Sequence, residues 1–133
     1  MEVPSLDDFM RDHRDAIVAA VAARMRDDAQ MLAVAGKREL SESDLTSQVL
    51  GFWLQGIRSD LTLGTTTAME QNLKWLTGFR AGHELPFDGE AVRRCFAEIS
   101  EEIDSRLESD DLRSEYAAYR AKVDALVAES FPD

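Results

Sequence analysis

"PFDGEAVRRCFAEISEEIDSRLE", residues 86–108, sets the period on which the chain is built. Val92, Phe96, Ile99, Ile103 and Leu107 recur at steps of three and four, which places them on one face of an α-helix. The opposite face is acidic and reads as solvated. A half-buried strand needs apolar and polar residues to alternate, and no stretch of this sequence alternates long enough. Pro86 suits a first helical turn and Asp88 a helix start.

The same spacing recurs on either side. Upstream, "GFRAGHELPFDGE" (78–90) reads as a corner: Gly82 is placed to end a helix in a left-handed conformation, and Leu85 to turn into the core. Before it, Met69, Leu73, Leu76 and Phe79 share a face, and Thr67 with Glu70 has capping-box spacing. A third helix starts at "SESDL" (41–45), capped by Ser41 or Ser43. Its stripe of Leu45, Val49, Phe52 and Gly56 is broadened by Leu50, Trp53, Leu54 and Ile57. A helix apolar over so much of its surface is central in a bundle or lies at an oligomer interface.

"MLAVAGKREL" (31–40) is either a continuation of the first helix or a short separate one, with Gly36 as its stop. In the first helix Leu6, Phe9, Met10, His13, Ile17, Val21 and Met25 make the stripe. Ser5 caps it, and Asp7 and Asp8 favour its positive end. Downstream, Leu112, Tyr116, Tyr119, Val123 and Leu126 form a last helix that begins at Ser109 or Asp110 and ends at "SFPD" (130–133). The expectation is one all-α domain over residues 1–133, with five or six helices in a bundle or globin-like packing.

Composition narrows the function. A hydrophobic fraction of 44% fits a folded core, and a net charge of −11, spread along the chain, repels nucleic acid and anionic membranes. A basic or neutral protein partner is easier to accommodate. The longest uncharged run, Leu45 to Ile57, is too short to cross a hydrocarbon layer of ~30 Å, and the acidic start "MEVPSLDDFMRDH" has no apolar signal core. A cytoplasmic protein is expected. The single cysteine, Cys95, excludes an internal disulfide and sits beside Phe96 as a small core residue.

Chemistry is approached by elimination. His83, Glu84 and Leu85 look like the start of the phospho-acceptor box of a histidine kinase. That box needs an exposed histidine inside a continuous helix, whereas Gly82 and Pro86 bracket this one as a corner. His13 lies on or beside the apolar stripe of the first helix. Haem needs an axial ligand in an apolar pocket, and His83 stands next to Glu84. There is no HExxH and no pair of Glu-x-x-His motifs. Serines and threonines gather at helix starts, where capping accounts for them, and Gly78 and Gly82 lack the strand of a phosphate loop. No catalytic residue, metal site or cofactor is expected. The remaining binding candidates are Trp53 and Trp75, which with Phe52 and Phe79 either line a pocket or pack the core; Arg80, which meets an anion, local carbonyls or Glu84; and His83, as a ligand or pH-sensitive contact.

Residues 73–107, "LKWLTGFRAGHELPFDGEAVRRCFAEISEEIDSRL", resemble the N-terminal domain of RsbT co-antagonist proteins of the RsbR/RsbRD type. The shared pattern is a helix ending in an Arg-Ala-x-Gly-like turn, a short apolar step and a long charged helix. Arg80, Ala81, Gly82, Leu85 and the Val92–Leu107 seam occupy it here. "SLDDFMRDHRDAIVAAVAARM" (5–25) is similar to the family's opening helix. The resemblance implies a globin-fold module without haem, a homodimer, and a non-catalytic sensing or scaffolding role in bacterial stress signalling. It also implies a partner such as a STAS-domain protein or a kinase. No effector is attached in this sequence, which makes it a stand-alone relative or the sensor part of a longer chain. The first and last helices, through Phe9 and Tyr119, are expected either at the dimer interface or in the core. The competing class is a haem- or small-molecule-binding globin-like protein.

Overall fold

The computed structural model describes residues 5–26 and 28–133. The reading of Met1–Pro4 as the beginning of a signal-free acidic start lies outside the described residues, as does Asp27 in the weak stretch after the first stripe. Among the described residues six helices follow one another: α1 Leu6–Arg24, α2 Ala29–Arg38, α3 Glu42–Leu63, α4 Thr67–His83, α5 Gly89–Arg106 and α6 Asp110–Ser130. Among the described residues there is no strand, and no helix is long and apolar enough to cross a membrane.

Local chemistry starts most of these helices. Ser5, Asp28, Ser41, Asp88 and Ser109 each accept a hydrogen bond from the backbone N–H three residues on, satisfying a donor that the first turn leaves unpaired. Helix α4 departs from this rule. Its N-cap is Thr66, with no side-chain bond, so the capping box expected from Thr67 and Glu70 does not form. Asp60, in the last turn of α3, supplies the acceptors instead: its carboxylate takes the N–H of Ala68 (2.8 Å) and Met69 (3.1 Å).

Helix ends correct the expectation at two glycines. Gly36 does not stop α2 and Gly82 does not stop α4; both lie inside helix. The left-handed residue comes later in each case, at Glu39 (φ 56°) and Glu84 (φ 50°). The following leucine then donates back five residues, Leu40 N–H to the Ala35 carbonyl and Leu85 N–H to the Arg80 carbonyl. "REL" (38–40) and "HEL" (83–85) are thus one device written twice: a basic last residue, a left-handed glutamate, and a leucine returned toward the interior. Pro86 lies in the corner rather than in the first turn of α5, which begins at Gly89.

Five helices close a ring of neighbours. α1 packs on α3, α3 on α4, α4 on α6, α6 on α5, and α5 returns to α1, while α2 lies outside the ring against α3. The ring meets around one core in which Ile17, Val21, Leu50, Ile57, Phe96 and Ile99 lose all solvent contact. Each such side chain contributes about 1.5–3 kcal/mol by leaving water. α3 is central, as its broad apolar surface implies. Its more deeply buried stripe is Leu50, Trp53, Leu54 and Ile57, whereas Val49 and Phe52 are only partly covered. Phe9 and Tyr119 are both buried in the core and offer no surface for a dimer interface.

The acidic face of α5 is only partly solvated. Arg24 of α1 reaches across to Glu98 (2.7 Å) and Glu102 (3.0 Å), and Arg106 adds a second cation to Glu102 (2.9 Å). Burial alone pushes the Glu102 carboxyl up, but the bonds from Arg24 and Arg106 together outweigh it and hold the group below the ordinary carboxylate range. Inside the ring, the hydroxyls of Ser100 and Tyr116 satisfy each other at 2.8 Å.

Candidate functional site

Beneath α2 lies an apolar cavity of about 120 Å³, bounded by α2, α3, α4 and α5. Met31 and Val34 roof it from α2. Trp53 and Val49 form its α3 wall, and Leu76 and Phe79 come from α4. Leu85 and Phe87, from the corner before α5, close another side, and Cys95 lies in the α5 wall. Of the three residues that resembled a phospho-acceptor box, Leu85 is cavity wall.

Polar groups at the margin are spent on each other. Arg94 pairs with Asp28 at 2.6 Å. The Gln30 side-chain amide donates to the Asp88 carboxylate (3.2 Å), while its oxygen accepts the Asp88 N–H (2.9 Å). The Ala91 N–H and then the Gln30 amide hold the Asp88 carboxyl below its ordinary range. Among the described residues no buried side-chain nitrogen or oxygen lacks a hydrogen-bond partner.

The two tryptophans, expected together, are separated. Trp53 is 2% exposed, lines the cavity and packs against Phe96 with ring centroids 5.5 Å apart. Trp75 is 54% exposed and lies outside. It stacks on Phe79 (4.6 Å, 13°) and meets Phe52 (5.4 Å), and Phe79 in turn meets His83 (4.5 Å). Phe79 belongs to both places, with one side in the cavity wall and the other in the outer stack.

His83 is exposed at the last residue of α4 rather than set in a non-helical corner. The helix ends there, since Glu84 is already left-handed, so no helical box continues past it. Arg38 lies over the Phe79 ring (5.0 Å) with Nη1 3.5 Å from His83 Nδ1. His13 is half-buried, stacked on Phe9 at 4.4 Å. Neither histidine lines the cavity. Arg80 is not positioned for a ligand: it lies over the Phe131 ring (4.8 Å) and donates to the Phe87 carbonyl (3.3 Å) and the Asp133 carboxylate (3.0 Å). It does not pair with Glu84.

Burial pushes the Cys95 thiol up to about 12, which suppresses the thiolate that a nucleophile requires. Cys95 is accordingly expected to resist iodoacetamide in the folded protein at mildly alkaline pH and to react fully once unfolded in urea. Mass spectrometry of both samples checks this. Among the described residues no three His, Cys, Asp or Glu side chains gather as a metal site.

Sequence reasoning missed Asp60. It is 1% exposed and, besides the two α4 amides, accepts the Tyr119 hydroxyl of α6 at 2.8 Å. Burial, and then the bond and charge of Asp60, push the Tyr119 hydroxyl well above its ordinary range, so it stays protonated as the donor. The readable signal was a carboxylate one turn beyond Gly56 and three residues beyond Ile57, on the buried stripe of α3.

No protein family matches the chain, and no curated protein or solved structure matches it.

Proposed function

We propose that the chain is a non-catalytic helical sensor module of the RsbT co-antagonist type, with globin-like packing, that works in bacterial stress signalling in the cytoplasm. It acts as a homodimer on a protein partner such as a STAS-domain protein or a kinase. The observation that carries this reading is the outer face of α4. That helix contains a single acid, Glu70, in a chain of net charge −11, and it leaves Trp75 half-exposed in an aromatic stack. Gly78 and Gly82 share the face, and a β-carbon added to either meets nothing within 4 Å. Two copies approaching through this face bring few like charges together.

The face is also self-complementary. A two-fold axis between positions 78 and 79, with the α4 helices antiparallel, lays each Trp75 over the other copy's Gly82. Helical spacing puts Trp75, Gly78, Phe79 and Gly82 on one side of α4, as this pairing requires. Aromatic knobs of this kind carry most of the binding energy of small interfaces. Sedimentation equilibrium is expected to show a dimer at micromolar concentration. Gly82→Arg is expected to sediment as a monomer with unchanged helical circular dichroism. A wild-type monomer, or a dimer indifferent to Gly82→Arg, overturns this dimer.

The cavity favours a second reading, small-molecule binding, in its non-haem form. A macrocycle needs far more than about 120 Å³ and an axial ligand, and the lining includes no histidine.

A further inference from the structure

We infer that the cavity beneath α2 binds a small, uncharged, apolar molecule of roughly the size of a substituted benzene. The volume, about 120 Å³, is close to that of an engineered apolar cavity of about 150 Å³ that stays dry and takes up benzene. The wall supplies flat aromatic surface from Trp53, Phe79 and Phe87, and deformable thioethers from Met25 and Met31 that fit an irregular guest. Charged guests are disfavoured by the same wall. Asp28 is committed to Arg94, and Gln30 to Asp88, so a carboxylate or ammonium entering the cavity finds no free partner for its charge.

Helix α2 forms the strap over this site. Asp28 and Gln30 fasten its first turn to α5 and its N-cap, and Lys37 donates to the Glu84 carbonyl at the other end. A guest pressing on Met31 and Val34 moves the helix that also carries Arg38, and Arg38 covers the outer stack at Phe79. Phe79 itself has one side against the guest. Occupancy of the cavity is thereby transmitted to the face assigned above to the dimer. The inference rests on the sensor reading for its signalling sense, but binding is measured on the single chain, so loss of the dimer and loss of binding are separate results.

The test uses Trp75→Phe, which leaves Trp53 as the sole tryptophan of a chain that has two. Iodobenzene, a heavy-atom quencher, is expected to quench Trp53 fluorescence saturably, and 4-iodobenzoate, which carries the same heavy atom with a charge, is not. Ala91→Leu, which fills the cavity from α5, is expected to weaken the saturable quenching at least tenfold. Benzene added to the wild-type chain is expected to shift the methyl resonances of Val34, Val49 and Leu85, which requires no cavity-filling variant. Quenching that rises linearly without saturation, methyl shifts spread over the whole core, or 4-iodobenzoate quenching as saturably and at as low a concentration as iodobenzene would overturn the inference.

Discussion

Asp60→Ala is expected to lower the stability of the fold by about 3–4 kcal/mol, a shift in melting temperature on the order of 10 °C. One carboxylate collects three donors from two other helices: the Ala68 and Met69 amides that open α4 and the Tyr119 hydroxyl of α6. Alanine leaves all three without acceptors where the side chain is 1% exposed, and each unsatisfied buried donor costs about 1–3 kcal/mol. The N-cap Thr66 makes no side-chain bond, and besides Asp60 only Thr65 Oγ1 takes a first-turn amide, that of Thr67 (3.1 Å), so the first turn of α4 is expected to fray. Urea unfolding measures the loss, and hydrogen exchange at the Ala68 and Met69 amides locates it. Tyr119→Phe removes one donor but leaves the carboxylate its two amides, so about 1–2 kcal/mol is expected there. If Asp60→Ala cost no more than Tyr119→Phe, the carboxylate would not be the cap of α4.

Phe131→Ala is expected to cost about 3–5 kcal/mol, the range for emptying a fully buried aromatic site. Phe131 is wholly buried and closes the fold beyond the end of α6. The Arg80 guanidinium covers one side of its ring, Phe87 meets it at 6.4 Å, and its carbonyl accepts from Arg93 at 2.7 Å. The Phe131 carbonyl also lies against the α-carbon of Gly89, where a β-carbon would collide with it. Truncation therefore empties a core position and uncovers the Arg80 guanidinium of α4, while the backbone carbonyl that Arg93 of α5 grips stays in place. Calorimetric unfolding measures the loss, and the Arg80→Ala variant separates the ring from the cation that covers it. That variant keeps the buried ring and is expected to lose only about 0.5–1 kcal/mol.

Where α-helices run was legible because apolar spacing and capping residues are local properties. Ser5, Ser41, Asp88 and Ser109 announce helix starts within three residues of the bonds they accept. Asp60 was not legible in this way. Its donors are eight, nine and 59 residues away, so only a carboxylate misplaced on an apolar stripe betrays it. Gly36 and Gly82 misled for a related reason. Glycine is the usual left-handed residue, but the position is chosen by where the next apolar side chain can return to the core. Leu40 and Leu85 made that choice, at the cost of a left-handed glutamate before each. The sequence contained the clue in its repeated Glu-Leu.

The binding candidates divided along the same line. Trp53 and Trp75 both fall on apolar spacing, yet α3 is surrounded by neighbours and α4 has a free side, so one tryptophan is wall and the other surface. Arg80 looked available because its partners, Phe131 and Asp133, lie some fifty residues downstream. The cavity itself has no sequence signature, being the volume left where four helices and the corner before α5 fail to meet.

Glu39 ends α2 and Glu84 ends α4, and both are wound into the left-handed region. For a residue with a β-carbon that winding costs about 1–2 kcal/mol relative to ordinary helix. The strap is therefore fastened under recoil: part of what Arg38 and Lys37 gain by gripping the end of α4 is already owed to the backbone on either side of the grip. The same winding is what turns Leu40 and Leu85 inward, so the grip and the two returned leucines stand or fall together.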